Sequence, residues 1–80
     1  MMDSLQGALD REWRRKSLPG PIERRLLRMQ AGLTQSDVAS CLGTTAAAVS
    51  RYESGAREPR AAILAKYLIV IKRLANAKPA

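Results

Sequence analysis

The residues of this chain best suited to chemistry lie between Thr34 and Arg60, and they suit binding rather than bond breaking. Thr45, Ser50 and Arg51 place hydrogen-bond donors on one short segment, Ala46 and Ala47 leave room for close approach, and Arg57 and Arg60 follow. The chain has no His and one Cys, so it cannot assemble a His-dependent triad or a usual zinc site, which need imidazole or several thiolates. Its seven acids are scattered and mostly adjoin an Arg in sequence, which reads as solvated surface charge rather than an acid–base pair. No enzyme activity, metal or cofactor is expected.

Fourteen Lys and Arg against seven Asp and Glu give a formal charge of +7. Such a balance points to a polyanion, either nucleic acid or an anionic membrane surface, and charge alone does not choose between them. The excess is spread over the chain, although residues 61–80 carry four bases and no acid. Lys66 splits the longest apolar stretch, so no run approaches the roughly 20 residues that span a bilayer. A lone Cys41 and the lack of a long apolar N-terminal centre lead to the expectation of a cytoplasmic protein without internal disulfides.

Eighty residues, 46% of them hydrophobic and with Trp13, Tyr52 and Tyr67 as the aromatics, suit a single small helical domain. Residues 1–20 read as an N-terminal amphipathic helix and linker. Asp3 or Ser4 caps the helix, Leu5, Ala8, Leu9 and Trp13 recur at helical spacing, and Leu18-Pro19-Gly20-Pro21 breaks it. Trp13 is expected to pack this helix onto the core. Residues 21–77 form the main domain. Pro21 opens a helix with Ile22, Leu26, Leu27 and Met29 on its apolar side, and Gly32 closes it.

Thr34 with Asp37 three residues on reads as a capping box, and Val38, Ala39 and Leu42 supply the buried side of the helix that follows. Cys41 is expected to be a small packing residue there. Gly43 permits a positive-φ turn, and Thr44 or Thr45 caps a helix from Ala46 to about Ser54. That helix has only Val49 and Tyr52 as large apolar residues, so its other face, with Ala46, Ala47, Ser50 and Arg51, is presented to something other than the core. Gly55 stops it, and residues 60–75 read as a last helix, although residues 67–71 also fit a strand.

The stretch GLTQSDVASCLGTTAAAVSRYESGAREPR resembles the Cro and repressor type of helix-turn-helix, or XRE, family of bacteria and their phages. Gly32-Leu33-Thr34-Gln35, Val38-Ala39, Leu42-Gly43, Val49-Ser50, Tyr52-Glu53 and Gly55 fall at its spacings. The resemblance implies an all-α, compact four- to five-helix lambda-repressor-like domain, here with an additional N-terminal helix. It implies double-stranded DNA as partner, with the second helix of the motif in the major groove. Gln35 is then expected at a phosphate, and Thr45, Ala46, Ala47, Ser50 and Arg51 at the bases.

Relatives often carry glutamine where this chain has Ala46 and Ala47. Alanine bonds no base but can touch a thymine methyl, which leaves Arg51 to read guanine or to clamp a phosphate. Arg57 and Arg60 match backbone or minor-groove contacts, with plain solvated charge as the other reading. The resemblance also carries over an ion pair between Arg28 and Glu53, which orients more than it stabilises.

The function expected is sequence-specific transcriptional regulation, in the manner of a phage-type or mobile-element repressor that occupies its operator. Control would come from protein level and operator arrangement. A homodimer on a palindromic site is expected, formed mainly through the C-terminal segment. The alternative is an antitoxin-like module that binds its own operator and grips a protein partner through residues 61–75.

Overall fold

A computed structural model describes residues 5–9, 13 and 17–77. Helix α1 spans Pro21–Gln30, α2 Gln35–Leu42, α3 Ala46–Ser54 and α4 Ala61–Asn76. Residues 5–9, 13 and 17 are also helical, and no strand occurs among the described residues. The all-α expectation therefore holds, and residues 67–71 lie within α4. The proposed caps Asp3 and Ser4 lie outside the described residues. Among the described residues, no helix is long and apolar enough to cross a membrane.

Each boundary has a local cause. Pro21 occupies the first turn of α1, where its missing N–H is no loss. Thr34 and Asp37 bond reciprocally, with the Asp37 N–H donating to Thr34 Oγ1 at 3.0 Å and the Thr34 N–H to Asp37 Oδ2 at 2.8 Å. Hydrogen bonding to Thr34, from its backbone N–H first and then from its side chain, holds the Asp37 carboxyl below its ordinary pKa. Gly43 ends α2 at φ 72°, in the left-handed region. There the Thr44 N–H reaches back to Ala39 O at 3.0 Å and turns the chain sharply into α3. Thr45 caps α3 by accepting from the Ala48 N–H at 3.1 Å.

Val38, Ala39, Leu42, Ala48, Val49, Tyr52, Tyr67 and Ile71 form the core, and Leu64 is buried as well. Ala39 of α2 and Ala48 of α3 both lie in this core, and such small side chains suit two short helices that cross closely. Tyr52 and Tyr67 pack with ring centroids 6.0 Å apart and planes tilted by 55°, a favourable edge-on arrangement. Burial raises the Tyr67 pKa, against the opposing charge of Arg24.

Three packing expectations are corrected. In α1, Ile22 is 75% exposed and Leu26 and Met29 are also exposed, while Arg24 is buried and Leu27 and Arg28 are half-buried. At 100° per residue Arg24 stands roughly opposite Ile22, Leu26 and Met29, and its contact with Tyr67, together with the Arg28–Glu53 pair, turns that side inward. Cys41 is exposed, because Val38, Ala39 and Leu42 already define the buried side of α2. Trp13 is 72% exposed. It borders a shallow notch with Leu68 and Ile71 but is not enclosed by the core.

Candidate nucleic-acid interface

Helix α3 buries Ala48, Val49, Tyr52 and Glu53. The opposite side consists of Ala47, Ser50, Arg51 and Ser54, all exposed, with Ala46 half-buried at its edge and Thr45 exposed at the cap. Of these, Ala47, Ser50 and Ser54 leave a smooth, small-residue surface, and Arg51 is the long cationic side chain. Such a face lacks the apolar area to dock on a core. It matches the dimensions and chemistry of a helix lying in a major groove, with a guanidinium free to bond a guanine edge or a phosphate.

The inner side of α3 is anchored by charge. Arg28 of α1 donates through Nε to Glu53 Oε2 at 2.7 Å and through Nη2 to Oε1 at 3.0 Å, and its Nη1 reaches Leu33 O at 2.8 Å. Gln35, the first residue of α2, donates from Nε2 to Glu53 Oε1 at 3.2 Å. One buried carboxylate thus ties three helices together and fixes the angle at which α3 is presented. Hydrogen bonding to Glu53 raises the Arg28 pKa further, outweighing the effect of its partial burial.

Gln35 therefore has an internal partner as well as a place on the surface. It is half-buried and lines a notch of about 200 Å³ together with Arg25, Ser50, Glu53 and Ser54. The sequence alone does not single out Arg25 or Ser54. Arg25 sits one residue from the buried Arg24, and only the packing of α1 on α3 brings it beside Gln35 and Ser50. Its position three residues before Arg28 is the available signal, since i and i+3 share one side of a helix.

Arg57 and Arg60 are exposed in the segment between α3 and α4. The Arg57 N–H donates to Arg51 O at 3.3 Å, which folds that segment back onto the end of α3. The structure thus brings Gln35, Ser50 and Arg25 together around one notch and ties the Arg57 backbone to that of Arg51, whereas Arg60 begins the next element as the N-cap of α4. Among the described residues, no group of His, Cys, Asp and Glu is placed to hold a metal.

A family model described as a helix-turn-helix domain matches residues 25–77, well over half of the chain. Comparisons with curated proteins and with solved structures give no match. The matched span holds both helices of the turn motif, the Arg28–Glu53 pair and α4. On this match, and on a capped pair of crossing helices that turns a basic, small-residue face outward, the chain belongs to the helix-turn-helix domain family of DNA-binding proteins, of the Cro-like type.

Proposed function

We propose that the protein is a sequence-specific transcriptional regulator of phage or mobile-element type that represses by occupying an operator. The observation that carries this reading is the outward face of α3, with Arg51 as the one long donor among small side chains and Glu53 pinned behind it. In this reading Arg51 bonds a guanine, Ala46 and Ala47 admit close contact with thymine methyls, and Thr45 and Ser50 add polar contacts. Gln35, Arg57 and Arg60 hold the backbone and set position. Arg25 joins them from α1.

Two copies are proposed to bind a palindromic site with their α3 helices about 34 Å apart, which doubles a small set of base contacts. Intramolecular packing already covers much of the apolar stripe of α4, since Leu64, Tyr67 and Ile71 are buried. What remains is a groove lined by Leu33, Ile69, Val70 and Leu74, with Ile69 56% exposed. Lys66 and Arg73 border the same groove, so two copies meeting there bring like charges together. Pairing is therefore expected on DNA, where phosphates offset that repulsion. The same groove supports the second reading, an antitoxin-like module that binds a protein partner through residues 61–75.

Selection of bound duplexes from a random pool tests the proposal. An enriched inverted repeat supports a dimeric regulator, and a pool that shows no enrichment contradicts sequence-specific binding.

A further inference from the structure

The groove along α4 joins an apolar floor to two cations. It holds about 500 Å³ and is lined by Leu33, Ile69, Val70 and Leu74, with Lys66 and Arg73 beside them. Ile69 is exposed there, although an isoleucine side chain gains from leaving water. Lys66 and Arg73 are exposed as well, and neither forms a salt bridge among the described residues. An added Cβ on Gly43 would stand 3.5 Å from Lys66 Nζ, so the ammonium reaches across to the corner that ends α2. No acid lines the groove, and α4 contains Lys66, Lys72 and Arg73 without an Asp or Glu.

We infer that this groove is a docking site for an acidic amphipathic helix of a protein partner. Lys66 and Arg73 are two turns apart on one side of α4, about 10 Å along its axis. A guest helix repeats at the same interval. Two of its carboxylates, two turns apart, therefore meet both cations, while aliphatic residues at three- and four-residue spacing cover Ile69, Val70 and Leu74. The guest is a helix because the groove has no strand edge to offer. Its walls come from α2, α4 and Leu33 just before α2, so a docked segment must bond its own backbone.

Charge and apolar area together select this guest. A second copy brings its own Lys66 and Arg73 and meets like charge. A phosphate backbone would neutralise the cations but leave the apolar floor in water. The inference rests on the partner-binding reading of residues 61–75 given above and names the chemistry of that partner. Pairing of two copies uses the same groove, so a bound partner helix prevents it.

The test is a selection against the full chain from helical peptides about 16 residues long, randomised on every face, at about 0.15 M salt. Cys41, the one cysteine of the chain, is exposed and lines the groove, so its alkylation rate reports where a peptide sits. The enriched peptides are expected to be net negative, with aliphatic residues at helical spacing, and to slow Cys41 alkylation about fivefold or more at saturation. A scrambled peptide of the same composition keeps the charge without the apolar side and should bind about tenfold more weakly. Ile69→Asp should weaken the enriched peptide by about tenfold, and so should Lys66→Glu combined with Arg73→Glu. If the double variant loses its helical spectrum, Arg73→Glu alone should still weaken binding by about threefold.

A pool without enrichment, alkylation that is not slowed, or a folded charge-reversed variant that binds as the parent does overturns the proposal. So does Cys41 protection that rises with protein concentration alone, which would make a second copy the occupant. Neutral or basic peptides that protect Cys41 would overturn the acidic guest while leaving the partner-binding reading in place. No DNA enters the measurement, so its failure is also distinct from failure of the regulator reading.

Discussion

Arg28 and Glu53, 25 residues apart in sequence, meet through two hydrogen bonds of 2.7 and 3.0 Å that lock α1 to the inner side of α3. Both side chains are largely withdrawn from water. In such a setting, removing one partner costs more than the pair contributes, because the other charge is left stranded.

Arg28→Met is therefore expected to destabilise the fold by about 3 kcal/mol, enough to lower the Tm of a domain this size by on the order of 10–20 °C. Adding Glu53→Leu should restore part of the loss, since no stranded carboxylate then remains behind α3. Thermal unfolding of the two variants checks this. A parent-like Tm for Arg28→Met would show that the pair does not set the fold.

The Asp37 carboxyl, held below its ordinary pKa by Thr34, gives a pH-dependent contribution of defined sign. A depressed folded-state pKa means that the stabilisation is fully present above the unfolded carboxylate value and is lost as pH falls through the lower folded one. Asp37→Asn should remove that part of the acid sensitivity while leaving the neutral-pH fold intact. Melting curves between pH 7 and pH 2 measure it, and identical acid profiles for parent and variant would contradict the capping account.

Gln35 and Arg25 share a notch with Ser50 and are expected to act on the DNA backbone. Arg25→Ala should weaken binding to every duplex by a similar factor and lower the salt slope by about one. Gln35→Ala should also weaken all sequences evenly, with a modest fall in Tm because Glu53 loses its 3.2 Å partner. Binding isotherms over a salt series distinguish these outcomes from base-specific losses, which would fall mainly on the preferred site.

Ile69 is the exposed large residue of the α4 groove. Ile69→Asp should leave the monomer folded and abolish pairing on an inverted repeat, as read by sedimentation of the protein–DNA complex. A two-to-one complex for the variant would move the dimer contact elsewhere.

The motif is legible in the sequence because its local rules are strong. Thr34 with Asp37, Gly43 and Gly55 mark helix ends that the structure has, and Val49 and Tyr52 identify the inner side of α3. Helix α1 is not legible in the same way, because apolar spacing alone favours Ile22, Leu26 and Met29 as its inner side. The decisive interactions there are a cation over a tyrosine ring and an ion pair, both made with residues far away in sequence. Arg25 escapes a reading of the sequence for the same reason, since its neighbours come from α2 and α3. Cys41 and Trp13 depart from average burial preferences, which a core completed by other residues overrides.

Arg51 on the outward face of α3 is proposed to read base sequence. This role is tested most directly by comparing a duplex recovered by selection with a scrambled duplex at matched salt, for the parent and for Arg51→Ala. The parent is expected to prefer the selected site by about a thousandfold or more. Arg51→Ala should lose about 1–3 kcal/mol of that preference with much less change on the scrambled duplex. Equal losses on both duplexes would contradict the claim and leave Arg51 as a phosphate contact.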